Sequence, residues 1–128
     1  MLAYVTVGTN DLERARGFYR ELFALIGVRE TFERYDGRYV GFGTEEGVWR
    51  FGVAEPYEGG EAHPGSGIMA AIEASDPAQA KALYDKAIEL GAICDGPPGP
   101  RLKGAVTCAY VRDLDGNKLN FFCHGSEG

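Results

Sequence analysis

Hydrophobic positions along the chain change period at regular intervals. "LAYVTVG" opens as a short strand. In "NDLERARGFYRELFALIG", Leu12, Ala15, Phe18, Tyr19, Leu22, Phe23 and Ile26 then recur at helical spacing. Asn10, with Glu13 three residues on, predicts a capping box, and Gly27 suits the helix stop. Three short strands follow, "RETFERY", "RYVGFGT" and "VWRFGVA", separated by turns carrying "DG" and "EEG". This is one βαβββ unit, residues 1–54. Residues 55–67, "EPYEGGEAHPGSG", lose all periodicity and read as a linker.

The pattern then restarts over residues 68–124. "GIMAAIEA" is a strand and "SDPAQAKALYDKAIELGA" a helix, capped by Asp76, opened by Pro77 and ended by Gly91. "AICDG", "VTCAYVRD" and "KLNFFCH" supply three more strands, the first two separated by the loop "GPPGPRLKG". A shift of 65 residues places Asp11 on Asp76, Ala15 on Ala80, Phe18 on Leu83, Tyr19 on Tyr84 and Tyr4 on Met69. An internal repeat of a whole supersecondary unit is architectural information. It predicts an α+β fold of two βαβββ modules within a single domain, 1–128. One helix covers only one face of each four-stranded mixed sheet, so the two uncovered faces could curl into a shared cleft, the usual place for a small ligand.

Composition excludes several classes. With 128 residues the chain suits one domain, and a net charge of −6 without any Lys/Arg cluster argues against nucleic acid. No apolar run reaches the roughly 18–20 residues of a membrane span, and the amino terminus enters a strand and a charged helix at once, unlike a signal peptide. A cytoplasmic protein is the expectation. Cys94, Cys108 and Cys123 form no C-x-x-C pair and read as reduced, structural thiols.

The most specific motif closes the chain. "YVRDLDGNKLNFFCH" puts an Asp-Gly turn between two apolar runs, and strand alternation sets Asn120 on the face opposite Leu119 and Phe121. Together with the paired βαβββ pattern and "DLERARGFYRELFALIG", this hairpin resembles the vicinal oxygen chelate superfamily. That group includes glyoxalase I, extradiol dioxygenases, fosfomycin-modifying enzymes and bleomycin-binding proteins. Leu114 stands where that hairpin usually has Pro.

The resemblance implies a homodimer and, in the enzymes, a divalent metal held by His and Glu from the first and last strands of each module. Such a metal would act as a Lewis acid on the substrate's vicinal oxygens. Here the corresponding residues are Tyr4, Met69 and Asn120. Aligning Gly47 with Gly116 makes Phe51 the fourth, and a one-residue slip would select Arg50. None is a good ligand for such an ion. The expectation is therefore no metal, no cofactor and a small-molecule ligand; the alternative is a metal-dependent lyase, isomerase or dioxygenase, which would need a divalent ion. A pure interaction domain with a filled core is a third reading.

The polar ends of Tyr4 and Asn120 need partners and favour a cleft with hydrogen-bonding character, while Trp49, Phe51 and Met69 would supply apolar contact. Arg101, on the Pro-rich loop, could pair with a ligand's carboxylate or phosphate, or be a solvated surface residue. Tyr4 and Asn120 are also the candidates for any catalytic role, the phenol as acid and the amide as orienter of a carbonyl. His63 and His124 read as surface residues, and Asp113 and Asp115 as turn residues capping their own backbone.

Overall fold

The computed structural model describes residues 1–126, which fall into two compact units, Met1–Gly65 and the chain from Ser66 onward. The first unit runs β1 (Val5–Gly8), α1 (Leu12–Ala24), β2 (Arg29–Arg34), β3 (Tyr39–Gly43) and β4 (Phe51–Ala54). Its sheet has the order β1-β4-β3-β2, with β1 parallel to β4 and the other pairs antiparallel. The second unit repeats this with β5 (Ala70–Glu73), α2 (Pro77–Glu89), β6 (Ile93–Arg101), β7 (Val106–Arg112) and β8 (Lys118–His124), in the order β5-β8-β7-β6. The fold is thus α+β, two βαβββ modules each built on a mixed four-stranded sheet. Among the described residues no helix is long and apolar enough to cross a membrane.

Each helix starts at an aspartate. The Asp11 carboxylate accepts from the Arg14 backbone N–H at 3.1 Å, and Asp76 accepts from that of Gln79 at 2.8 Å. The predicted cap at Asn10 is one residue early. Asn10 instead clasps the linker, its Oδ1 accepting from Ala62 N at 2.7 Å and its Nδ2 donating to Ala62 O at 3.2 Å. Part of the predicted linker is therefore bound to the first module.

In the first module Val7, Val40, Phe42, Phe51 and Val53 point toward α1 and bury against Phe18, Tyr19, Leu22 and Phe23. In the second, Ala109, Val111, Leu119 and Phe121 lie fully buried, as do Ala80, Leu83 and Ala87 of α2. The period of two along each strand divides these core residues from those on the other face.

The closing hairpin holds its turn by the Asp113 carboxylate, which accepts from the backbone N–H of Asp115 and of Asn117, both at 2.9 Å. The Pro-rich segment departs from expectation. Residues 97–101 are not a loop but the end of β6, pairing Gly99 with Cys108, Pro100 with Thr107 and Arg101 with Val106 after two register shifts. β6 is an edge strand, where proline's missing N–H breaks no ladder.

Candidate functional site

The face of the first sheet away from α1 is built around two opposed glycines. Gly41 of β3 pairs directly with Gly52 of β4. A Cβ at Gly41 would stand 2.7 Å from Trp49, and one at Gly52 would fall on the Tyr39 hydroxyl. The bare backbone therefore admits two aromatic rings where side chains would otherwise rise. Trp49 lies in that space stacked on Phe32, with centroids 3.8 Å apart and planes within 9°. Its indole N–H donates to Tyr39 Oη at 3.0 Å, and Tyr39 Oη lies 2.8 Å from Thr6 Oγ1. Tyr4, just before β1, brings its ring to 5.0 Å from Trp49.

Beside this cluster is a cavity of about 320 Å³. Thr6 and Gly8 of β1 and Ala54 of β4 line it from the sheet, Tyr39 and Tyr35 from the β2–β3 hairpin, and Pro56 and Tyr57 from the linker. The Tyr35 and Tyr57 rings meet edge to face at 5.8 Å. Arg38 and Glu55 also line it, paired Nε to Oε1 at 3.2 Å, with Arg38 Nη2 donating to Pro56 O at 3.1 Å. The linker thus forms one wall, held at Arg38 and again by the Asn10 clasp.

The second sheet's face away from α2 carries Asn120, Cys108 and Tyr110. Asn120 is buried; its Nδ2 donates to Cys108 Sγ at 3.7 Å, and its Oδ1 has no hydrogen-bond partner among the described residues. Tyr110 pairs with Asn120 across β7 and β8, and its hydrogen bond with Cys108, followed by burial, raises its pKa. Arg101 donates to Pro97 O at 3.0 Å and Pro100 O at 3.2 Å, and its guanidinium lies 5.8 Å from the Tyr110 ring centroid.

The sequence candidates distribute unevenly over these surfaces. Tyr4 and Trp49 come together in the first module. Tyr4 is 46% exposed, so it is not a buried phenol. Met69 precedes β5 and is 44% exposed. Asn120 and Arg101 share the Tyr110 neighbourhood, though Arg101 sits at a strand end folded onto its own backbone.

Phe51 is a correction. Its ring packs in the helix-side core, 4.9 Å from Tyr19 and 5.2 Å from Phe23. The strand register shows why: Val5 pairs with Phe51 and Ala70 with Leu119, so the counterpart of Asn120 is Gly52, neither Phe51 nor Arg50. The Gly47–Gly116 alignment is one residue out because the two hairpins differ in length. Tyr35, Arg38, Tyr39, Glu55 and Tyr57 are not legible as site residues in the sequence, since none stands at one of the four strand positions that the family resemblance singles out. The paired glycines in "YVGFG" and "RFG", which leave room for rings, were the available signal.

The family the motifs resemble implies a divalent ion, and the donors at its four positions do not fit one. Gly52 offers no side chain, and the Tyr39 hydroxyl occupies the space above it. Tyr, Met and Asn lack the imidazole or carboxylate such an ion prefers. Among the described residues no group of three or more His, Cys, Asp and Glu side chains gathers at metal-binding distance.

Comparison with known proteins is consistent across sequence and fold. The family model of the Glyoxalase/Bleomycin resistance protein/Dioxygenase superfamily matches residues 1–121. Comparison with curated proteins finds no match. Among solved structures, a glyoxalase/bleomycin resistance protein from Albidiferax ferrireducens is 32% identical with a TM-score of 0.83, over 95% of this chain and 97% of that one. A family enzyme from Burkholderia phytofirmans has 20% identity and a TM-score of 0.74, over 94% and 95% of the two chains. A lactoylglutathione lyase from Agrobacterium tumefaciens has 20% identity and a TM-score of 0.66, over 95% and 92%, and shares the fold. With two βαβββ modules, the closing Asp-Gly hairpin and a family match over nearly its whole length, the chain belongs to the Glyoxalase/Bleomycin resistance protein/Dioxygenase superfamily.

Proposed function

We propose that this protein binds a small organic molecule without a metal, on the sheet faces that its helices leave uncovered. The observation that carries the reading is the cavity of about 320 Å³ in the first module, walled by Tyr35, Tyr39 and Tyr57. That volume lies at the lower end of the range for small-molecule sites, and apolar walls with a few placed polar groups are the usual composition of such sites. The donor chemistry at the strand positions supports the metal-free part, because the place of a fourth ligand is held by Gly52 beneath a tyrosine hydroxyl. In the second module the unpartnered Oδ1 of Asn120 is a buried acceptor that a ligand's N–H or O–H would satisfy. No catalytic step is assigned to Tyr4 or Asn120. The proposal extends to a homodimer, which light scattering of the purified protein would test.

The deciding experiment is elemental analysis of untagged protein, with thermal melts in Zn, Ni, Mn, Fe(II) and chelator. Metal-free protein whose melt ignores all four ions supports the reading. One retained equivalent of metal, or a rise specific to one ion, overturns it in favour of a metal-dependent lyase, isomerase or dioxygenase.

A further inference from the structure

The Tyr39–Thr6 hydroxyl pair has a countable surplus of protons. An indole N–H only donates, so Tyr39 Oη is an acceptor toward Trp49. Tyr39 and Thr6 each carry one hydroxyl proton, and one of the two makes their mutual 2.8 Å bond. The other has no acceptor among the described residues, and both side chains line the cavity. Whichever hydroxyl keeps it, the pair offers the cavity a donor. Because Tyr39 already accepts from Trp49, its proton is polarised toward donation.

Two further features define what would meet that donor. The charges at the cavity are already neutralised, Arg38 on Glu55 with its second nitrogen on Pro56 O, so neither a free cation nor a free anion site is presented. The ring at the hairpin is held there at a cost. Tyr35 has φ 57 and Asp36 φ 54, in the left-handed region where a bulky aromatic residue is uncommon and asparagine or glycine would fit more easily. That backbone places the Tyr35 ring opposite Tyr57, which is 80% exposed. The two rings meet edge to face at the cavity wall, and their exposed surfaces are ones against which a flat molecule can lie.

We infer that the first module's cavity takes a neutral, planar, ring-bearing ligand with a hydrogen-bond acceptor, a ketone or lactone carbonyl above all. The ligand's ring lies against the Tyr35–Tyr57 wall, and the carbonyl oxygen accepts the spare proton of the Tyr39–Thr6 pair. This rests on the reading of the protein as a small-molecule binder and adds the ligand's class.

The test uses one scaffold with four polarities: 1-indanone, indane, 2-aminoindane and indane-2-carboxylate. Binding to the full chain is followed by the Trp49 indole N–H resonance, which is unambiguous because the chain has one Trp. The expected result is that 1-indanone binds about fivefold more tightly than indane, a difference one neutral hydrogen bond supplies, and more tightly than either charged probe. Proton counting makes a second prediction. Tyr39→Phe or Thr6→Val alone frees the proton that had served the mutual bond, so each single variant keeps the ketone preference. The double variant loses it while indane binding persists.

Equal affinity for indanone and indane in the wild-type protein, or a preference for a charged probe, overturns the ligand class and leaves the binder reading intact. So does a double variant, folded by its amide spectrum, that keeps the ketone preference. Absence of any Trp49 or first-module response to all four probes also overturns the ligand class, whereas the binder reading is overturned by the metal analysis. The wild-type ratio needs no variant, so a double variant that fails to fold does not spare the proposal.

Discussion

Gly52→Ala is the sharpest test of how the first module's aromatic face is assembled. The added methyl would fall on the Tyr39 hydroxyl, so either the ring moves or the methyl is forced in. If the ring moves, the Trp49–Tyr39 and Tyr39–Thr6 hydrogen bonds are lost, at about 1–3 kcal/mol together. If it stays, overpacking costs a similar ~1–3 kcal/mol. These are alternatives and do not add. Replacing glycine by alanine within a strand returns about 0.5–1 kcal/mol of backbone entropy. The net expectation is a loss of ~1–2 kcal/mol, or a midpoint about 3–10 °C lower for a chain of this size. Urea and thermal melts followed by the emission of the single tryptophan report on this face directly. In a Tyr39→Ala background the same methyl meets no ring, and the cost of Gly52→Ala should largely vanish in the double-mutant cycle. A Gly52→Ala protein that melts at or above the wild type with unchanged Trp49 emission would refute the packing described for Gly41, Gly52 and the two rings.

Two further outcomes follow from the geometry. Phe51→Ala should destabilise by about 3–5 kcal/mol, since the ring fills the core against Tyr19 and Phe23; a near-neutral melt with weakened probe binding would return Phe51 to the ligand face. Arg16 holds Glu30 bidentately, Nε to Oε1 at 2.7 Å and Nη2 to Oε2 at 3.0 Å, and this bond, opposed by burial, lowers the Glu30 pKa from its usual 4.5. A depressed carboxylate stabilises the fold above the unfolded pKa and loses that contribution as pH falls through the lower folded value. Glu30→Gln should therefore cost ~1 kcal/mol at pH 7, with the gap to the wild type closing below about pH 4.5; a gap unchanged down to pH 3 would contradict the pairing.

The local code of this chain was sufficient for its elements and for their repetition. Helical spacing from Leu12 to Ile26, the Asp76-Pro77 start, the Asp-Gly hairpin and the 65-residue offset each depend on neighbours within a few positions or on comparing one half with the other. They fix two βαβββ modules and, through the closing hairpin, the superfamily. The missing His and Glu at Tyr4, Met69 and Asn120 were equally legible, because residue identity alone carries ligand chemistry.

Tertiary structure decided what depends on register and on chain segments far apart in sequence. A one-residue offset moves a side chain to the opposite face of a sheet, which is why Phe51 belongs to the core and Gly52 to the site. The Asn10 clasp on Ala62 spans 52 residues, and the Thr6–Tyr39 bond spans 33, distances over which no local pattern reaches. Proline in β6 resembles a loop signal in the sequence because its tolerance depends on standing at a sheet edge, and edges exist only once strands have paired. The cavity is of the same kind: strands, hairpin and linker all contribute to its lining, and only folding brings the tyrosines of hairpin and linker together around it.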